Sequence, residues 1–358
     1  MALRSLISGK RLQTLAILES LSTRGMSSSG QMAAIKALRE RSGAPISDVK
    51  ASLDEAGYDQ EKAFENLRKK GLAAATKKGN RHAAEGLLGV AKGDGCMGIV
   101  EINCETDFVA RNEGFCSVVS EAAKALLTVD KSAVNEGLEV DLSALEEVRV
   151  AASGARLKDY VAELSGSMRE NIKLRRGFLL TSPGEIYTYI HNAPPSDIPL
   201  LGKIAGLVSI ESTSANLSDS MKTAVSNEEL GPRLAMQVVG LRPRFLDRSG
   251  VSPEELEKEK AILREHALST GKPAPVVEKI VMGRLGKFYE DVCLMDQRYV
   301  IDESLTVKKL IDGIAKKGGE PGGLRIGSFL RVQCGEGLES EKEEKDFVQE
   351  VAEMAGGN

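Results

Sequence analysis

Apolar residues between positions 32 and 71 recur at helical spacing in three short runs. Met32, Ile35 and Leu38 precede the break "SGAP". Ile46, Val49 and Leu53 precede Gly57, and Phe64 and Leu67 share a face of a third run that Asp59 can cap and Gly71 can end. The pattern predicts a three-helix N-terminal module over 32–71, and the basic, Ala-rich "LAAATKKGNRHAAEG" reads as a linker over 72–92. The period then changes. In "GLLGVAKGDGCMGIVEINCE", Val100, Ile102 and Cys104 alternate with Glu101 and Asn103, which predicts a half-buried strand, and "GDG" supplies the positive φ of a hairpin turn. Helical spacing returns at Phe115, Val118, Val119, Ala122 and Leu126.

A similar order follows downstream. "FLLTSPGEIYTYIHN" and "GKIAGLVSIES" read as strands around a Pro-rich turn, and "NEELGPRLAMQVVGLRPRFL" as a helix. Two strand-then-helix halves, 93–175 and 176–251, predict an α+β fold whose two-part core is built of antiparallel sheets with packed helices. Residues 252–292 predict a helix, a Gly/Pro break and a second helix, with Ser252 capping, Glu255 three residues on and Pro253 in the first helical position. The result is a protruding helical hairpin. Residues 293–358 return to the core with one strand, "SFLRVQC", and end in an amphipathic helix carrying Phe347, Val348, Val351 and Met354 on one side.

Composition narrows the function classes. At 358 residues there is room for two or three cored domains, and no stretch is long and apolar enough to span a bilayer, so no membrane partner is expected. Net charge is −4, unevenly spread: residues 1–92 hold 16 Lys and Arg against 9 Asp and Glu, leaving 32 against 43 for the remainder. An acidic body repels phosphate backbones, so no nucleic-acid binding is expected. The first 31 residues are basic, rich in serine and nearly free of acids, the composition of an organelle transit peptide. The arginines point to the mitochondrion ahead of the plastid.

The candidate chemistry is sparse. Five cysteines, odd in number and without a C-x-x-C pair, argue against a disulfide framework or a structural zinc site, and three scattered histidines against a histidine metal centre. No metal or cofactor is expected. "GDGCMG" fits G-x-G-x-x-G, but a strand follows where a dinucleotide site requires a helix, so the match reads as turn chemistry. No P-loop occurs either, so no direct nucleotide binding is expected. Cys104 as a nucleophile lacks a nearby histidine base and more simply continues the buried face of its strand. Asp107 and Phe108 remain, an acid and an aromatic where a strand gives way to a helix. By pattern alone the ring caps its own core and Thr106 or Asp107 caps the helix.

"NCETDFVARNEGF" resembles the signature of the elongation factor Ts family, guanine-nucleotide exchange factors of elongation factor Tu. The likeness continues in order over 32–354. "IKALRERSGAPISDVKASLDEAGYDQEKAFENLRKKG" looks like the family's N-terminal, ubiquitin-associated-like module. "GKPAPVVEKIVMGRLGKFYEDVCLMDQRYV" looks like its helical hairpin, and "FLRVQCGEGLESEKEEKDFVQEVAEM" like its C-terminus. The resemblance implies a binding protein, not an enzyme, whose partner is an organellar elongation factor Tu, a GTPase. It implies that the loop Thr106, Asp107, Phe108 and Val109 enters the partner's G domain, with the aromatic wedging beside the phosphate and magnesium end of the nucleotide. It also places Lys50, Ile204, Gln237, Val351 and Met354 at partner contacts. Two departures stand out: His191-Asn192 where many relatives have a His-Gly turn, and Gln237 where many have histidine. The rival classes are a ubiquitin-binding adaptor, suggested by the three-helix module, and an enzyme using Cys104.

Overall fold

A computed structural model describes residues 28–78, 81–212, 230–269, 273–317 and 322–338. Most of the expected leader and the expected C-terminal helix, with Val351 and Met354, lie outside these residues. The chain divides into two compact units, one running to Lys77 with Gly166–Arg169 added, the other covering Lys78 to Ser165 and everything from Glu170 onward.

In the first unit, helices α1 (Ser28–Ser42), α2 (Ile46–Glu55) and α3 (Gln60–Lys78) enclose a core of Ala34, Leu38, Ala44, Val49, Leu53, Ala63 and Leu67. Asp59 begins α3 as expected, its Oδ1 accepting from the N–H groups of Glu61 and Lys62 at 3.1 Å each. Two expectations fail. Met32 and Ile46 face solvent, and the core includes Ala34 and Ala44 but neither of them. Gly71 does not end α3, which runs to Lys78: glycine costs about 1 kcal/mol in a helix, and the strong helix formers of "LAAATKK" outweigh it.

The second unit is layered. Its first sheet has the order β3-β2-β1-β5, from β1 (Glu85–Gly93), β2 (Cys96–Cys104), β3 (Lys173–Thr181) and β5 (Leu201–Gly202). β1 and β2 form the expected hairpin, with Gly93 opposite Cys96 and Gly95 at φ +60° in the turn. The second sheet has the order β4-β6-β9, from β4 (Glu185–His191), β6 (Ile204–Ser212) and β9 (Leu324–Gln333). All these pairings are antiparallel. β3 straddles residue 176 yet belongs to the first sheet, so β3 and β4 are not one hairpin.

Between the sheets lies a shared core of Leu88, Val90, Met97, Ile99, Phe178, Leu180, Ala205 and Leu207. One helix covers most of the outer face of each sheet. Taking in turn the short α4 (Asp107–Ala110), α5 (Glu113–Leu126), α6 (Leu142–Glu147), α7 (Leu157–Met168) and α8 (Leu230–Leu241), it is α5 that covers β1 and β2, and α8 that covers β4 and β6. A central glycine admits each helix. A Cβ on Gly89 would sit 2.7 Å from the carbonyl oxygen of Val119, and one on Gly206 2.6 Å from that of Ala235.

This layering corrects the half-buried reading of β2, all nine of whose residues are buried. Val100, Ile102 and Cys104 lie on the face towards α5, while Met97 and Ile99 join the core between the sheets. Its polar positions face the second sheet, where Glu101 accepts from Arg175 Nη1 at 2.9 Å, Arg176 Nε at 2.6 Å and the Gly335 N–H at 2.7 Å. Burial works against the Glu101 charge, but the Gly335 N–H and the two guanidinia outweigh it and hold the carboxyl below its ordinary range.

The expected helical hairpin follows as α9 (Pro253–Ser269) and α10 (Ala274–Val292), packed through Ala267, Val277, Val281 and Leu285. Ser252 Oγ accepts from the Glu255 N–H at 3.2 Å, as its spacing predicts. A two-stranded ribbon, β7 (Arg298–Tyr299) and β8 (Asp302–Thr306), then leads to α11 (Val307–Lys317).

Candidate functional site

Eight residues separate the end of β2 from the start of α5, and hydrogen-bonding side chains set their path. Thr106 is extended and caps α4, its Oγ1 accepting from the Val109 N–H at 3.4 Å. Asp107 occupies the first turn, where a negative charge suits the helix dipole, and pairs with Arg111 Nη2 at 3.1 Å. Asn112 then caps α5, accepting from the N–H groups of Gly114 at 2.8 Å and Phe115 at 3.4 Å. Ala110 is buried at the end of α4, and the Cys116 thiol donates to its carbonyl at 3.7 Å.

The Thr106 cap of α4, the Asn112 cap of α5 and a buried anchor between them leave one large side chain outside. Phe108 is 81% exposed, and Val109 is half-buried beside it. The ring does not cap its own core, which corrects the reading from pattern alone. Leaving a phenylalanine in water forgoes about 1.5–3 kcal/mol of burial free energy, and nothing among the described residues recovers it.

A cleft of about 700 Å³ opens next to α4. Glu85, Leu87, Asp107, Ala110 and Arg111 form one wall, and the turn Asn192 to Pro195 with Lys203 the other. The tertiary structure thus brings the Pro-rich turn, 85 residues away along the chain from Asp107 at Asn192, against the acidic-aromatic loop. Asn192 has φ +56°, a left-handed conformation that asparagine tolerates better than other side-chain-bearing residues. Lys203 pairs with Glu85 across the cleft floor, and Ile204, half-buried, follows it at the start of β6.

The other residues singled out from the sequence do not gather at this cleft. Lys50 is exposed on α2 in the first unit. Gln237 is fully buried: its Nε2 donates to Gln297 Oε1 at 3.3 Å and the Arg298 carbonyl at 3.2 Å, while its Oε1 accepts from the Val300 N–H at 3.2 Å. All its hydrogen bonds run inside the domain, where it braces the β7–β8 ribbon, so it offers no surface to a partner. Cys104 is buried as well. Burial first, then the nearby Glu170 carboxylate, push its thiol up to about 12, so it stays protonated at neutral pH and is unsuited to nucleophilic attack. It donates instead to the Thr106 carbonyl at 3.2 Å. Sequence reasoning missed Glu170, which accepts from the Thr106 hydroxyl at 2.6 Å across 64 residues of chain.

The family model for elongation factor Ts matches residues 105–336, starting at the loop itself. The chain is 41% identical over 319 residues to the mitochondrial elongation factor Ts of Ricinus communis, covering 86% of this chain and 82% of the relative. It is likewise 41% identical over 321 residues to that of Arabidopsis thaliana, covering 87% and 79%. Bacterial proteins match equally well, with 41% identity over 324 residues to elongation factor Ts of Paramagnetospirillum magneticum, covering 90% and 96%. A family match over more than half of the chain and relatives aligned over most of both lengths show that the chain belongs to the elongation factor Ts family.

Proposed function

We propose that this chain releases GDP from an organellar elongation factor Tu by inserting the loop Thr106 to Val109 beside the phosphate and magnesium end of the bound nucleotide. Guanine-nucleotide exchange on elongation factor Tu is the family's role, and the mitochondrion is the compartment, in keeping with the names of the plant relatives. The basic, acid-poor leader fits delivery there. One observation carries the finer reading: Phe108 is held in water on a four-residue helix that Thr106 caps, whose last residue is buried, and which the cap of α5 follows at once.

Exchange makes and breaks no covalent bond. The factor binds a partner conformation that holds nucleotide poorly, and linkage requires nucleotide to weaken the factor's binding equally. Nucleotide held at nanomolar strength represents about 12 kcal/mol. Burying one phenylalanine supplies about 1.5–3 kcal/mol, so Phe108 directs the opening but cannot drive it alone. Further contacts supply the rest: the walls of the cleft and Ile204 in the second unit, Lys50 on the helical module, and Val351 and Met354 near the C-terminus. Gln237 supports the second unit from within. Asp107 brings a negative charge towards the phosphate end.

Release of labelled GDP from organellar elongation factor Tu tests the reading. Phe108→Ala is expected to lower the maximal stimulated rate about 10- to 100-fold, the rate equivalent of the lost burial, and Asp107→Ala to lower it less. Full stimulation by both variants overturns the wedge.

A further inference from the structure

The exposed loop is gripped from below by a carboxylate that exchange chemistry does not call for. Glu170 Oε2 accepts from the backbone N–H groups of both Glu105 and Thr106 at 3.1 Å, while Glu170 Oε1 accepts from the Thr106 hydroxyl at 2.6 Å. A threonine hydroxyl has one proton. Donating it to Glu170 turns the oxygen lone pairs towards the Val109 N–H, the bond that caps α4. The carboxylate therefore sets the direction of the cap, and the cap sets the direction of the helix that carries Phe108.

The grip is reciprocal. Glu105 Oε1 accepts from the Asn171 N–H at 2.6 Å, so each glutamate side chain holds the backbone next to the other. The far side is itself tethered. The Ser165 hydroxyl donates to the Glu170 carbonyl at 2.6 Å, and buried Asn171 donates through Nδ2 to the Arg81 carbonyl at 2.6 Å. With the Cys104 thiol on the Thr106 carbonyl, Glu105 N, Thr106 N and Thr106 O are all engaged before any partner arrives.

From this geometry we infer that Glu170 is the positioning residue of the exchange loop, acting through Thr106 to hold Phe108 in the orientation in which it enters the partner. The inference rests on the wedge reading of Phe108. A loop ordered in advance does not lose its freedom at the moment of insertion, so the benefit appears in the maximal rate and hardly in affinity, which the further contacts set.

The test is a double-mutant cycle on labelled GDP release from organellar elongation factor Tu, comparing the full chain with Glu170→Ala, Phe108→Ala and the double variant. Glu170→Ala is expected to lower the maximal rate about tenfold, with the half-saturating concentration unchanged within about twofold. In the Phe108→Ala background the same change is expected to cost nothing further. Glu170→Gln keeps one acceptor oxygen and is expected to recover part of the rate, and it serves as the test if Glu170→Ala does not fold. A full rate for the Glu170 variants alongside a slow Phe108→Ala overturns the positioning role and leaves the wedge standing. Equal losses in both backgrounds overturn it too, since Glu170 then acts through the fold at large. An inert Phe108→Ala removes the wedge and this inference with it.

Discussion

Helices α4 and α5 follow one another with two residues between them, and each carries one phenylalanine. Phe115 on α5 is 0% exposed and Phe108 on α4 is 81% exposed. The difference lies in what each helix rests on. α5 is long enough to present a full apolar stripe, and Gly89 lets it settle onto the sheet, so its aromatic is part of the core. α4 is one turn long and buries Ala110 instead, so its ring is free to face a partner. A core aromatic and an exposed one are thus separated by seven residues. The same division runs through the acids: Glu101 lies under two arginines in the interior, whereas Asp107 forms an exposed pair with Arg111.

The comparison is sharpest where the buried members are removed. Phe115→Ala is expected to lower unfolding free energy by about 3–5 kcal/mol, measured by denaturant titration. Glu101→Ala leaves two partly buried guanidinia without their carboxylate and is expected to cost about 3–5 kcal/mol. Because the folded Glu101 carboxyl lies below its ordinary value of 4.5, its contribution is complete above that pH and disappears as pH falls through the folded value. Acid unfolding followed by circular dichroism is therefore expected to set in below about pH 4.5 and to be less pH-dependent in Glu101→Gln.

Smaller effects locate the boundary between the two helices. Asn112→Ala removes the cap of α5 and is expected to cost about 0.5–2 kcal/mol. Phe108→Ala is expected to change stability by no more than about 0.5 kcal/mol, since the ring has no interior to leave. A loss above about 2 kcal/mol there would place the ring in a core and erase the contrast.

Much of this arrangement is legible in the sequence. The strand through Val100, though not its burial, the Asp94-Gly95 turn, the apolar stripe from Phe115 to Leu126 and the Ser252 cap read correctly, because each depends on residues within a turn or two of chain. By contrast, β1 begins at Glu85, inside the stretch read as a linker. Helix α11 was legible too and was missed: Val307, Ile311 and Ala315 form a buried stripe at helical spacing. Gly71 misled because a glycine stop signal is weak beside an alanine-rich run. In the site, the loop Thr106 to Val109 stands out by its motif, whereas Glu170, the opposite wall of the cleft and the burial of Gln237 do not.

The sequence by itself determined most of the helices and strands and which apolar side chains share a face, since periodicity reports neighbours close along the chain. It also determined the family, through motifs that survive in order. Only the tertiary structure decided which polar residues lie inside and what holds the loop. Glu101 finds Gly335 across 234 residues, and Glu170 finds Glu105 across 65. A charged side chain enters the interior only when partners replace its water, and partners brought from that distance leave no mark on the local pattern.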